Sequence, residues 1–133
     1  MLDFEIGLDG SGHLFCGGAA EKTQDGVLQL FEDLVAGLTA RFIRVLGGLY
    51  AAGSYLGPVD AGVAVTGLST AVSSYLSRDA LRRHFRQPYG RDVYRRTGRF
   101  PAPSMAQDPR SIARELAFPL ARAITHESYD PFS

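Results

Sequence analysis

Nucleophilic catalysis needs a nucleophile, a base and an orienting group within mutual reach, so Cys16, His13, His84 and His126 are the first residues to weigh. Cys16 is the only cysteine, and there are three histidines. His13 and Cys16 share the segment His13-Leu14-Phe15-Cys16, which reads as a strand. Residues an odd number apart on a strand point to opposite faces, so no thiol–imidazole pair is expected there. A single cysteine also excludes an internal disulfide and a cysteine-based zinc site. Beside Phe15 and Gly17-Gly18 it reads as a small buried hydrophobe. The histidines are scattered, and no Asp, Glu or His pair stands at helical spacing in a buried setting, so no metal is expected. His126-Glu127 closes the last helix, where a cation near carbonyl groups is the ordinary arrangement. Gly17-Gly18-Ala19-Ala20 follows a strand but lacks the lysine of a P-loop and the dinucleotide fingerprint. No catalytic, cofactor or metal residue is assigned, and the chain reads as non-enzymatic.

Arginine is the one residue type that gathers. Between Arg78 and Arg99 there are eight arginines against Asp79 and Asp92, while Asp3 to Asp33 holds seven acids against one base. Arg82, Arg83, Arg86, Arg95, Arg96 and Arg99, interleaved with His84, Phe85, Tyr89 and Tyr94, have the residue types that phosphate contact and base stacking require. They are the candidate nucleic-acid residues. The competing reading is a solvated face whose arginines pair with acids of the opening hairpin and first helix, within the chain or across a dimer. The net charge is zero, which favours that second reading. Thirteen of the fourteen cations are Arg, and with abundant Ala and Gly this points to a coding bias.

The elements that position these residues follow from hydrophobic periodicity. Leu2, Phe4, Ile6 and Leu8 alternate with polar or small residues, the pattern of a strand with one wet face. Asp9-Gly10-Ser11-Gly12 supplies a turn and His13–Cys16 the return strand, so a β-hairpin opens the chain. Thr23 or Asp25 would cap a long helix from Val27 to about Ala52, apolar at three- and four-residue intervals and ended by Gly53. Gly37, Gly47 and Gly48 each weaken such a helix by about 1 kcal/mol. They imply close approach of another backbone, the sheet in preference to a second copy of the helix. On the second-copy reading, Gly47→Leu disturbs assembly more than folding.

Val59, Ala61, Val63 and Val65 alternate, and residues 59–77 read as a second hairpin, with a short helix from Thr70 as the alternative. Residues 78–91 read as a partly helical excursion or mobile loop. Asp92 to Phe100 suits a last strand stopped by Pro101 and Pro103. Asp108-Pro109 starts a final helix lined by Ile112, Leu116, Leu120 and Ile124, with Pro119 inside it to kink it near Glu115. The tail Tyr129-Asp130-Pro131-Phe132 is expected to be held by its aromatics. The fold class is therefore α+β: an antiparallel sheet of about five strands, in the order ββ-α-ββ-β-α, with one long and one shorter C-terminal helix on one face.

At 133 residues, 45% apolar and 21% charged, the chain is the size and composition of a single globular domain, residues 1–133. No apolar run reaches the ~20 residues of a bilayer span. Met1-Leu2-Asp3-Phe4-Glu5 carries acids where a signal peptide has a basic end, so a cytoplasmic location with no membrane partner is expected.

Gly12–Gly17, Tyr55–Asp60, Gly62–Leu68, Tyr94–Thr97 and Tyr129–Phe132 together touch most of the chain. In these stretches it resembles the C-terminal region of actinobacterial transcriptional regulators and ATP-binding proteins that carry an N-terminal Schlafen-type AlbA-like domain. The 133 residues do not include that DNA-binding domain. The resemblance carries over no ligand or catalytic residue and implies an accessory module for dimerisation, partner binding or sensing. The expected function is accordingly a regulatory or interaction domain that forms a homodimer, with a protein partner as a further possibility and no cofactor. Nucleic-acid binding through residues 78–99 is the alternative. A small-molecule pocket between helices and sheet is a third reading, which requires a concave, partly polar cavity there.

Overall fold

The computed structural model describes residues 2–7, 9–78, 81–83, 86–125 and 131–132. The chain is α+β, with seven strands and four helices among the described residues: β1 (Leu2–Ile6), β2 (Gly12–Cys16), β3 (Ala20–Lys22), β4 (Leu28–Leu30), α1 (Glu32–Ala52), β5 (Pro58–Val65), β6 (Val72–Ser73), α2 (Ser74–Arg78), β7 (Tyr94–Pro101), α3 (Ala102–Gln107) and α4 (Pro109–Thr125). The strands fall into three small sheets, β1-β2, β3-β4-β6 and β5-β7, instead of one sheet of five.

The opening hairpin forms with Leu2 opposite Cys16 and Ile6 opposite Gly12. Asp9 Oδ1 accepts from the Ser11 amide, and Gly10 takes the positive φ of 85° that the turn needs. The expected single wet face is not what β1 has, because all five of its residues are exposed. Phe4 meets Phe42 edge-on with centroids 5.9 Å apart, and Tyr50 donates to the Gly10 carbonyl at 2.7 Å.

The long helix does not begin at Val27. Thr23 and Val27 close a second hairpin: the Thr23 amide donates to the Val27 carbonyl at 2.8 Å, and the Thr23 hydroxyl accepts from the Val27 amide at 3.2 Å. Gly26 sits at φ 78° in its turn. Thr23 therefore serves a β-turn and Asp25 lies within it, while the residue preceding α1 is Phe31, which makes no side-chain cap. Leu28 and Leu30 fit a strand as well as a helix because their spacing of two suits the inner face of β4. At the other end Gly53 has φ −85°, and the left-handed residue is Ser54 at φ 58°.

The second hairpin expected over 59–77 does not form. β5 pairs antiparallel with β7, Pro58 opposite Pro101 and Val65 opposite Tyr94. Val72-Ser73 pairs parallel with Gln29-Leu30, and the chain turns directly into α2. Ser73 is the reason: its hydroxyl accepts from the Leu76 amide at 3.1 Å, an N-cap that favours a helical turn over continued strand. Of the 78–91 excursion, residues 79, 80, 84 and 85 lie outside the described residues, as do His126, Glu127, Tyr129 and Asp130.

Two helices follow β7. β7 ends at Pro101, as the prolines there predict, and the chain passes at once into α3, which the sequence does not announce; Pro101 enters it in extended conformation and Pro103 lies near its start. Asp108 ends it and starts α4, where its Oδ1 accepts from the Ser111 amide at 3.2 Å. Ile112, Leu116, Leu120 and Ile124 of α4 are all buried, as their spacing predicts. Pro119 leaves the Glu115 carbonyl without its helical donor. Next to it, the Tyr94 hydroxyl donates to the Leu116 carbonyl and ties β7 to α4; burial raises the Tyr94 pKa.

The core lies where α1, α3 and α4 meet the inner face of β5 and β7. One cluster gathers Leu30, Leu68, Ala113, Leu120, Ile124 and Phe132. Another gathers Ile43, Leu46, Phe100, Met105, Ile112 and Leu116. Val63 packs against both. The expected close approach at Gly47 is real, but the backbone is that of α3 and not of the sheet: a Cβ there would lie 2.4 Å from the Met105 carbonyl carbon and 2.5 Å from the Ala106 nitrogen. Gly47 therefore serves the fold and not a dimer seam. Gly37 and Gly48 face open space, with nothing within 4 Å. Gly47→Ala is expected to destabilise the chain by roughly 1–3 kcal/mol through overlap with backbone, whereas Gly48→Ala raises stability by up to about 1 kcal/mol. Denaturant melts in dilute solution decide the comparison; equal effects at the two positions would contradict it.

Candidate functional site

The six arginines singled out from the sequence divide between two elements. Arg82, Arg83 and Arg86 lie beyond α2 and turn back onto it. Arg82 stacks over the Tyr75 ring at 5.2 Å and bonds its hydroxyl. Arg83 Nε donates to the Ser77 carbonyl at 3.3 Å, and Arg86 Nη1 donates to Ser77 Oγ at 3.1 Å. Arg95, Arg96 and Arg99 lie along β7 and are exposed. Arg99 grips the directly opposite Asp60 at 2.8 and 3.2 Å. The Arg99 hydrogen bond and charge hold the Asp60 carboxyl below its ordinary pKa. Arg78 reaches Asp33 of α1 at 3.4 Å, the kind of pairing the solvated-face reading expects. Both of these ion pairs are exposed, so they add little to stability. Four of the six arginines are thus engaged by groups of their own chain. His13 and Cys16 lie on alternate faces of β2, His13 exposed and Cys16 half-buried, where the sequence reading has it buried. Among the described residues no group of three or more His, Cys, Asp or Glu gathers as a metal site.

One buried carboxylate escaped the sequence reading. Glu32, the first residue of α1, is 3% exposed. Its Oε2 accepts from Ser74 Oγ at 2.8 Å, while Oε1 has no hydrogen-bond partner among the described residues. An acid at a helix start is usually a solvated dipole partner; the signal that this one is buried is its place between Leu30-Phe31 and Leu34-Val35-Ala36. The contact joins the start of α1 to the start of α2 and fixes where the arginine-bearing segment leaves the core.

The outer face of α1 carries exposed apolar side chains. Its inner face buries Val35, Ala36, Thr39, Ile43, Leu46 and Gly47. Opposite run Leu34, Leu38, Arg41, Val45, Gly48 and Ala52, at steps of four, three, four, three and four residues. That is a heptad seam. Leu34, Val45 and Leu49 are 37%, 48% and 45% exposed. Over its best 18 residues α1 has a mean hydropathy of 1.3, enough in length and composition to cross a bilayer, yet only 28% of that window is buried.

A third feature is a cleft of about 680 Å³ between the β1–β2 turn, α1 and the free edge of β5. Asp9, Phe42, Tyr50, Tyr55 and Asp60 line it above Leu46 and Met105. Nothing in the sequence marked these residues as a set, because they are distant along the chain and individually ordinary. No family model, curated protein or solved structure matches this chain.

Removing the Ser74 hydroxyl leaves both Glu32 oxygens buried without that donor. Ser74→Ala is therefore expected to destabilise by about 1–3 kcal/mol. The double variant Glu32→Gln/Ser74→Ala, measured in the same chemical melts, should recover part of that loss because the charge is gone. A silent Ser74→Ala would show the contact to be dispensable.

Proposed function

We propose that this chain is an interaction domain that self-associates, two copies packing their α1 helices antiparallel along the exposed seam. The observation that carries this reading is the complementarity of the seam with itself. In an antiparallel pair centred at position 43, Leu34 faces Ala52, Leu38 faces Gly48 and Arg41 faces Val45. Every pairing sets a large side chain against a small one or a branched one. Knobs of one helix thus meet room on the other, as packed helix interfaces require. A two-fold axis uses the same surface twice, so one sequence satisfies both sides. Gly48 lies in open space, which leaves its position free to receive the partner's Leu38. The helix is about 32 Å long at ~1.5 Å per residue, enough for three heptads of contact. Arg41, the one charged seam residue, reaches past its partner's Val45 to solvent and sets the register.

Sedimentation equilibrium at micromolar concentration should find a dimer. Gly48→Leu fills the hole for the partner's Leu38 but meets nothing in its own chain, so it should yield a folded monomer. Leu34→Glu, set against the partner's Ala52, should weaken association at least about tenfold through an interfacial charge left unpaired. A wild-type chain that stays monomeric at every concentration, or a Gly48→Leu variant that dimerises as well as wild type, overturns the proposal. Recovery on vesicles in place of dimerisation would instead assign the apolar face to a membrane surface.

Nucleic-acid binding is the second reading, and the exposure of Arg95 and Arg96 on β7 is what favours it. It requires affinity for single-stranded DNA that falls steeply with salt and disappears in R95E/R96E.

A further inference from the structure

We infer that the cleft between the β1–β2 turn, α1 and β5 is a binding site for an alkylammonium cation. The reasoning begins with the chemistry of its walls. Among the described residues none of the lining side chains is a Lys, Arg or His. Phe42, Tyr50 and Tyr55 contribute three aromatic rings, and the two tyrosines stand nearly at right angles, centroids 5.9 Å apart and planes at 65°. The pair packs edge to face, which covers one ring face and leaves electron-rich aromatic surface in the cleft wall, where a cation is favoured.

The polar groups carry the same sign. Tyr50 spends its hydroxyl proton on the Gly10 carbonyl and Tyr55 on the Pro58 carbonyl, each at 2.7 Å. With the protons committed, both phenol oxygens offer only lone pairs to a guest. Asp60 enters with its charge matched by Arg99. Asp9 does not: Oδ1 takes two bonds from neutral Ser11, at 3.0 and 2.7 Å, and Oδ2 has no partner among the described residues. Those Ser11 bonds hold Asp9 below the ordinary carboxylate pKa, so it is ionised at neutral pH. The Asp9 charge is also felt at Tyr50, whose pKa it helps to raise after burial and Tyr55.

Among the described residues the donor side chains of the lining, Ser11, Tyr50 and Tyr55, have their protons committed, so an anion finds little to bind, and a neutral apolar guest gains nothing from the carboxylate. A group with N–H donors, positive charge and an alkyl stem matches every wall: its head on Asp9 and the phenol oxygens, its stem on Leu46, Met105 and Val59. A bare divalent ion fits less well, since Asp9 alone offers an uncommitted carboxylate oxygen and metal sites of this kind need several. The same chemistry is presented by a free polyamine and by a lysine side chain on another protein.

Heteronuclear NMR titration of the full chain tests this with spermidine, with an N-acetyl-lysine amide, and with 1-pentanol and Mg²⁺ as controls. The amines should give saturable shifts at Asp9–Gly12, Tyr50 and Tyr55, and the tighter of the two identifies the source. Asp9→Asn keeps the turn hydrogen bonds but should weaken amine binding about tenfold. Tyr55→Leu should weaken it roughly three- to tenfold, while Tyr55→Phe, which keeps the ring, stays within about twofold. Thermal melts matching wild type confirm that the variants remain folded. The inference fails if neither amine perturbs these residues, if pentanol does so equally, if Mg²⁺ shifts them as strongly, or if Asp9→Asn binds like wild type.

Discussion

Position 47 admits no side chain. The α3 backbone passes so close to it that even a methyl group would overlap Met105 and Ala106, and the arrangement of the helices follows from that contact. A tight crossing at Gly47 brings Leu46 and Ile43 onto Met105, Ile112 and Leu116. The inner stripe of α1 is thereby closed by helices of the same chain. The outer stripe is left to whatever lies beyond it. A glycine that looks like a weak point in a helix is thus the place where the fold is decided, and its cost in helix propensity, about 1 kcal/mol, is offset by apolar surface removed from water on both sides.

Local signals were legible in the sequence and long-range pairings were not. The Asp9–Gly12 turn, the end of α1, the Asp108-Pro109 start and the buried stripe of α4 each depend on residues within a few positions of one another. By contrast, β5 could find a strand partner in the valine-bearing segment just after it or in the arginine-bearing one after that, and alternation alone does not choose. The choice is made by Ser73, whose cap starts a helix, and by Tyr94 and Phe100, which carry β7 into the core. Val27, Leu28 and Leu30 satisfy strand and helix periods alike, and Thr23 and Gly26 tip them to the strand through turn bonds that side-chain patterning does not encode. Division into three sheets has the same origin: α1, α2 and the 78–91 excursion separate strands that sequence order would have joined.

Functional surfaces were legible in composition but not in placement. The arginine cluster stands out in the sequence, yet folding turns Arg82, Arg83 and Arg86 toward Tyr75 and Ser77 and gives Arg99 to Asp60. The burial of Glu32 and the aromatic cleft are not legible in the sequence, where Glu32 is one of two early acids that the helix dipole favours and residues 9, 42, 50, 55 and 60 are ordinary until topology brings them together. The seam of α1 was the intermediate case. Its glycines stand out as weak points in a helix, but only the structure separates Gly47, which faces inward, from Gly37 and Gly48, which do not.

The opening hairpin is held to the rest by few contacts: the Phe4–Phe42 edge, Gly12 against Leu46, and the strap from Tyr50 to the Gly10 carbonyl. Its ladder is local, closing within fifteen residues of chain, so it can detach as a unit without unravelling the helices behind it. Amides of β1 and β2 should then exchange with solvent through this partial opening, far faster than those of α4. Because the hairpin turn is also one wall of the aromatic cleft, such an opening removes Asp9 from the other lining groups. Whatever occupies the cleft therefore slows that exchange, and the protection it confers measures how firmly it is held.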